Sequence, residues 1–489
     1  MAEAAGRGRA PRSHSQTLEV GQSKLRALNS IRIAGQEVLP IIEGGKGVAV
    51  TNGLSSGAWA AAGGIGTFSG VNADSYDSDG QPIPQIYSGR TRRDRHEELV
   101  RYAIDGGIEQ ARIAHETRGN QGRLHINILW EMGGAERVLT GVLDKCRDLV
   151  HGVTCGAGMP YRLAEIAASY RTHYYPIISS ARAFRALWKR AYFKFAEFLG
   201  GVVYEDPWLA GGHNGLSNSE DSRKPEDPYP RVVALRKVMN EAGLHDTPII
   251  MAGGVWWLSE WDHWLDNPEV GPVAFQFGTR PLLTKESPIS DEWKKRLLSL
   301  NPGDVTLHKF SPTGFYSSAV HNEFLSSLEG RSERQVPFTV EVVGAHDTAL
   351  SINSRKRDVY VTAKDKCRAE SWVAQGFTEA LKTPESTLVF VTPPNAEEIR
   401  VDQTNCMGCL SACSFSNWSQ GESGATGRKA DPRSFCIQKT LQNIAHNGNL
   451  EQELMFAGHN AHRFGQDPWY KDGFVPSVKQ LVDRIATGW

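Results

Sequence analysis

No apolar run in this chain approaches the ~18 residues needed to cross a bilayer. That absence argues against a membrane-spanning protein. Residues 1–30 are polar and arginine-rich, without the apolar stretch of a secretory signal. Their composition predicts a disordered N-terminal segment and a cytoplasmic protein. Net charge is also missing: 54 Lys and Arg against 55 Asp and Glu leave −1. With no basic excess or evident basic stripe, the chain does not read as a nucleic-acid binder, and it carries no acidic solvating tail. Cysteine is sparse, seven in 489 residues. An odd count without a signal sequence excludes a disulfide framework. What remains is an ordinary globular balance, 40% hydrophobic and 22% charged. At roughly 150 residues per domain the length fits about three domains, or one large barrel with additions. Either can bury a core without covalent staples.

Glycine is abundant (49 residues), and many glycines end short apolar runs. The runs form a regular series: Val38–Ile42 with Val48–Val50, Gly63–Phe68, Leu124–Leu129, Gly152–Cys155, Tyr174–Ser179, Gly201–Tyr204, Pro248–Ala252 and Val273–Phe277. Helical patterns follow most of them, at Glu97–Thr117, Ala135–Leu149, Tyr161–Ser169, Phe184–Phe198 and Arg231–Ala242. The runs are continuously apolar rather than alternating, which predicts parallel strands buried on both faces. Eight such units fit a (β/α)₈ TIM barrel. An open dinucleotide-binding sheet needs a G-x-G-x-x-G turn with an acidic residue about 20 positions on, and no strand here has one.

The organisation expected is therefore a barrel over 31–298 and an additional C-terminal α+β lobe over 299–400. A cysteine-cluster region and tail follow over 401–489. In the lobe, strands are expected at Val336–Val343, Asp358–Thr362 and Thr387–Thr392, with a helix near Ala369–Leu381. A short helix is expected at Pro476–Thr487. The tryptophans Trp256, Trp257, Trp261 and Trp264 follow the seventh strand and read as packing against the added lobe.

Catalytic groups of such barrels lie at the C-terminal ends of the strands. Three glycine clusters fall there: Ala210–Gly215, Ala252–Val255 and Phe277–Arg280. Glycine lets backbone amides approach phosphate oxygens, and loops after the last strands are the usual barrel phosphate site. Together with Glu43–Val48 and Ala62–Thr67, these segments resemble the nitronate monooxygenase (2-nitropropane dioxygenase) family, whose pattern the flavin-dependent enoyl-acyl-carrier-protein reductases share. The resemblance covers about 38–290 and the tail from Phe456 to Gly488. It implies an FMN-binding TIM barrel acting as an oxidoreductase on a small substrate. The flavin contacts it implies are Gly44, Gly45 and Asn127 near the ring, and Gly211, Gly212, Gly253, Gly254, Gly278 and Thr279 at the phosphate.

His213, inside the family's A-G-G-H-x-G motif, is the catalytic candidate, placed to polarise a substrate or move a proton. Aligning through Ser179–Leu187 sets Arg185 where nitronate-oxidising members carry a base histidine. Arginine stays protonated at neutral pH, so Arg185 reads as a holder of an anionic substrate. Before the glycine loop, where many members have glutamine, this chain has Tyr204-Glu205-Asp206. Either carboxylate could serve as acid or base, or cap the loop.

Four of the cysteines cluster: Cys406-x2-Cys409-x3-Cys413, then Cys436. Three close thiols and a distant fourth suit a [4Fe–4S] cluster, with structural zinc as the alternative. The first three resemble the run in flavin and iron–sulfur dienoyl-CoA reductases. The expectation is an FMN oxidoreductase coupled to such a centre. Its rivals are an enoyl-thioester C=C reductase fed by NAD(P)H or ferredoxin, and a non-catalytic flavin or metal redox sensor.

Overall fold

The computed structural model describes residues 28–352 and 357–489. The segment expected to be disordered lies outside them up to residue 27. Eight parallel strands close into a barrel: β1 Ile41–Glu43, β2 Ile65–Ser69, β3 Arg123–Leu129, β4 Gly152–Gly156, β5 His173–Ile178, β6 Val202–Glu205, β7 Ile249–Ala252 and β8 Val273–Phe277. Strand β8 pairs with β1, Phe275 beside Ile41, and this pairing completes the ring. Every strand expected from the apolar runs is present. The one excess is Val48–Val50, which forms a turn.

The barrel has two apolar layers because its strands are covered on both sides. Inside, Ile42, Ile65, Tyr175, Val203, Ile250 and Ala274 pack with Ile33 and Val38 of an antiparallel hairpin, Ile31–Ile33 with Gln36–Val38. The hairpin closes the N-terminal end, where Gln36 bonds Gly122 and Arg123. Outside lie α1 Gly53–Ala61, α2 Arg92–Arg118, α3 Ala135–Cys146, α4 Leu163–Ser169, α5 Ala181–Arg190 and α6 Pro228–Glu241. Their starts follow ordinary capping chemistry. Asn52 accepts from the Ser55 amide at 2.9 Å, and Thr91 with Asp94 forms a capping box on α2. After β7 the chain makes a 3₁₀ helix, Leu258–Trp264, that buries Trp261 and Trp264 with rings 5.1 Å apart.

The residues after 298 divide differently from the expected lobe. Val305–His308 and Ser317–Val320 do not leave the barrel; they pair with each other, and Ser317–Val320 pairs on its other edge with Gly212–His213 over the mouth. The separate α+β unit begins at Gln335. It holds the three-stranded sheet of Gln335–Pro337, Thr387–Val391 and Glu379–Lys382, the hairpin Thr348–Ile352 with Arg357–Val361, and a core around Val336, Leu350, Val361 and Phe390. Its helix spans Ala363–Ala374, not Ala369–Leu381. Gly376, at φ +97°, ends the helix, and the apolar residues beyond it enter a strand. The tail returns to the barrel as Val478–Ala486, buried along one side.

Close backbone approach limits substitution in this frame. A Cβ on Gly66 would stand 1.8 Å from the Ser56 carbonyl oxygen, whereas one on Gly278 would meet nothing within 4 Å. Gly66→Ala is expected to lower unfolding free energy by about 3 kcal/mol or to prevent folding, as overpacking against backbone does. Gly278→Ala is expected to leave it unchanged. Urea unfolding of the two cofactor-free variants checks the contrast.

Candidate active site

The C-terminal ends of the strands open into one cavity, and the chain's polar groups collect there. Its floor and sides come from Gly44–Lys46 after β1, Asn127 in β3, Glu205 at the end of β6, Gly253–Gly254 after β7, and Gln276–Thr279 at β8. Gly211–His213 of the loop after β6 joins them. A second wall comes from far along the chain: Cys409, Leu410, Ile437, Gln438, Leu441, and Leu454–Gly458. Of the residues expected at a cofactor, Gly44, Gly45, Asn127, Gly211, Gly212, Gly253, Gly254, Gly278 and Thr279 all border this one space.

The glycine loops are held by specific bonds. The Gly458 amide donates to Thr279 Oγ1 at 2.9 Å, and Asn460 Nδ2 donates to the Gly254 carbonyl at 2.6 Å. Gly211 is in contact with the tail so closely that a Cβ would lie 2.6 Å from Ala457. The opposite side of the cavity is equally tight at Gly45, where a Cβ would sit 2.3 Å from Asn127 Cβ. Left-handed backbone at Gly212, Gly253 and Gly254 turns the loops there. The Asn127 and Gln276 side chains border the cavity and make no hydrogen bond among the described residues. Open space at Gly278, three converging glycine loops and free carboxamides suit a phosphorylated, hydrogen-bonding, planar cofactor of FMN type. The residues present fit that group.

Among the titratable side chains that line or support the cavity, four are shifted chiefly by desolvation. Glu205 is pushed up to about 8, first by desolvation and then by the charge of Asp206. It is therefore largely protonated at pH 7. Asp206 is raised by burial, but its Oδ1 accepts from the amides of Trp208 and Leu209 at 2.9 and 2.8 Å, which makes it the loop's cap. Of the two carboxylates only Glu205 faces the cavity. His213 is lowered to about 4 by burial and is neutral at pH 7. Its Nε2 lies 2.7 Å from Ser311 Oγ, which is 2.8 Å from Thr313 Oγ1. Lys46 is lowered to about 8 by burial, donates to the Gly44 carbonyl at 2.7 Å, and sits beside the buried Glu43.

Arg185 is not brought to this site. It lies on the outer face of α5 with its side chain 51% exposed, 3.7 Å from Glu241. The helix starts at the Ser180 cap and buries Phe184 and Leu187 against the barrel. One residue past Phe184 is about 100° round the helix, and that step turns Arg185 outward. The four cysteines do come together, each close enough to others of the set to bear on their ionisation. Cys409 reaches the cavity wall. Among the described residues, no three His, Cys, Asp or Glu side chains are arranged to hold a single metal ion.

Sequence reasoning missed Lys46, Ser311 and Thr313. Lys46 had a signal, since it follows two glycines at the end of β1. The other two had none, because the sheet pairing that delivers them joins positions about a hundred residues apart.

A profile of the nitronate monooxygenase family matches residues 31–487. Among solved structures, FabK from Thermotoga maritima is similar at 15% identity, with 91% of each chain covered and a TM-score of 0.48. Nitroalkane oxidase from Streptomyces ansochromogenes is similar at 15% identity, covering 92% of this chain and 95% of that one, with a TM-score of 0.49. The enoyl reductase domain of MlnA from Bacillus amyloliquefaciens shares 11% identity over 91% and 93% of the two chains, also at 0.49. No protein of curated function matches the chain in sequence. No helix among the described residues is long and apolar enough to cross a membrane. The family match runs through the whole barrel, its glycine loops and the returning tail, and the chain belongs to the nitronate monooxygenase family of flavin-dependent oxidoreductases.

Proposed function

We propose that the barrel mouth binds FMN and transfers a hydride between it and a small substrate, in the cytoplasm. The observation that carries this reading is the convergence of the glycine loops after β6, β7 and β8 on one cavity with Gly44, Gly45 and Asn127. The loop amides and Thr279 would hold the phosphate. Gly44, Gly45 and the Asn127 carboxamide would border the ring. Bound FMN supplies the two-electron chemistry that no amino-acid side chain can.

The protein's own groups supply charge and protons. Glu205 is a half-buried, desolvated carboxyl, still largely protonated at pH 7, at the edge of the cavity. Such a group donates a proton as substrate charge develops. Neutral His213, fixed by Ser311, orients a substrate oxygen or takes a proton. The anion-holding role expected of Arg185 passes to Lys46, whose ammonium lines the cavity. A second reading, reduction of a C=C bond conjugated to a thioester, is favoured by the same Glu205. Hydride addition to one carbon requires a proton at the other, and the cavity holds that proton. Electrons for it come from NAD(P)H as hydride or from a ferredoxin-type carrier one at a time. An iron–sulfur centre on the cysteine loop is the one-electron partner in this scheme.

Reconstitution tests the central claim. The full chain mixed with FMN and desalted is expected to retain one flavin per chain, and Gly278→Ala, folded normally, to retain at least tenfold less affinity. Failure of the wild type to retain FMN overturns the reading. Oxygen uptake with a nitronate, against anaerobic reoxidation of the NAD(P)H-reduced protein by an enoyl thioester, separates the two directions of chemistry.

Glu205 sets a pH signature. Its carboxyl ionises near 4.5 unfolded and near 8 folded. Between those values the folded chain binds more protons, so its stability falls as pH rises through that window. Glu205→Gln is expected to flatten the fall between pH 5 and 8 in thermal melts of the cofactor-free chain. In turnover, wild-type activity is expected to decline as pH passes about 8, and the variant to be slower by about 10²-fold with that limb gone. An unchanged limb in Glu205→Gln assigns the proton to another group.

A further inference from the structure

We infer that Cys406, Cys409, Cys413 and Cys436 form a cage for one [4Fe–4S] cluster built into the wall of the flavin cavity, with Cys409 the ligand nearest the flavin. The electron-transfer role of this centre rests on the FMN reading above; the ligand set does not.

The four thiols are free and gathered, yet none is joined in a disulfide. Cys406 and Cys413 are buried, and Cys409 and Cys436 are half-buried. Backbone and hydroxyl donors are aimed at the sulfurs rather than away from them. The Gly408 amide donates to Cys406 Sγ at 3.4 Å and Ser416 Oγ at 3.1 Å. The amides of Phe415 and Ser416 lie toward Cys413, that of Gln438 toward Cys409 and that of Lys439 toward Cys436. These last two amides belong to the first turn of the helix Ile437–Ala445, which Cys436 precedes as its N-cap residue. Sulfur accepts hydrogen bonds weakly as a thiol and well as a thiolate. Donors turned toward the sulfurs, two of them bonded to Cys406, suit thiolate ligands.

Nuclearity follows from spacing. A single zinc with Zn–S of about 2.3 Å draws tetrahedral sulfurs to about 3.8 Å from one another. No three potential ligands among the described residues converge in that way. A cubane carries one cysteine on each of four corner irons and holds the sulfurs further apart. Three closely spaced cysteines and a distant fourth, Cys406-x2-Cys409-x3-Cys413 and Cys436, are the arrangement of a cubane rather than of paired zinc knuckles.

Charge is provided for as well. Four thiols lose four protons on ligation, and a [4Fe–4S]²⁺ core then leaves the site at −2. The N-terminal turn of α2 places arginines on the cysteine loop's carbonyls. Arg92 donates to Ser416 and Gln403 oxygens at 2.8 Å each, and Arg95 to those of Cys406 and Thr404 at 3.0 and 2.8 Å. The loop is pinned to the barrel beside the cavity. The Gly133 amide donates to the Cys409 carbonyl at 2.8 Å, and the Ser411 amide to the Glu131 carbonyl at 2.8 Å. Cys409 itself borders the cavity that Gly45 and Asn127 border. With FMN held in that cavity, Cys409 would be the ligand on the flavin side, and the cluster would supply one-electron exchange with a carrier protein.

The test is anaerobic purification of the full chain, with iron, sulfide, zinc and flavin measured separately. Four iron and four sulfide per chain, with a broad visible absorption bleached by dithionite and a paramagnetic reduced state, are the expected results. Zinc without sulfide, or four titratable thiols and no metal after reconstitution with ferrous iron and sulfide, overturns the cage. Cys409→Ser is expected to lose at least one iron per chain while FMN content stays, and Cys367→Ser, an exposed thiol elsewhere, to lose none. If Cys409→Ser fails to fold, the wild-type stoichiometry still decides. Cluster without flavin would leave the cage standing and remove the FMN reading. Flavin without cluster would do the opposite.

Discussion

The pairing of Gly212–His213 with Ser317–Ser318 is the contact on which the site depends. A TIM barrel on its own presents an open mouth, and its loops are solvated. Here two residues of the loop after β6 are turned into an edge strand for a segment a hundred positions later. That pairing brings Ser311 to His213, and the Ser318 amide edge to the returning tail, where the Ala457 amide donates to the Ser318 carbonyl. The His213 side chain is half-buried as a consequence, and its desolvation is what holds it neutral. Fold, position and protonation state follow from one short ladder.

The cavity so enclosed is electrostatically expensive. Lys46 lines it with Glu43 buried behind, Glu205 is kept protonated, and Asn127 and Gln276 turn carboxamides toward it. Buried polar groups without partners cost stability unless a ligand satisfies them. A polar planar cofactor with an anionic tail meets this combination: donors and acceptors for its ring, a cation nearby and amides for its phosphate. The apolar residues Leu410, Ile437, Leu441 and Leu454 close the remaining side and keep water from the reacting atoms.

Much of this was legible in the sequence for identifiable reasons. The barrel strands carry a continuous apolar signal because both faces are covered, and all eight were found. Glycines at strand ends marked the cofactor loops because only they tolerate the close approaches seen at Gly45 and Gly211. Two kinds of error remained. Periodicity could not separate the end of the helix Ala363–Ala374 from the strand that follows, since both are apolar on one side; Gly376 was the overlooked stop. Alignment placed Arg185 at a reacting position, but one residue of helical phase decides between cavity and solvent, and the burial of Phe184 and Leu187 sets that phase. Ser311 and Thr313 were invisible because no local pattern records a contact made through sheet pairing.

The closing segment bears on how cofactor and chain depend on each other. Thr279 and Gly254, in the loops after β8 and β7, are bonded to Gly458 and Asn460, which the chain supplies only after the added lobe and the cysteine loop have been traversed. The cradle is therefore complete only when the tail has docked. A ligand that binds the docked state and not the open one stabilises docking by mass action. The cysteine loop stands in the same relation, fixed between α2, the β3–α3 connection and the helix Ile437–Ala445. The glycine cradle and the cysteine loop thus both lie on the seam between barrel and C-terminal chain. A ligand held at either place would favour closure of the same seam.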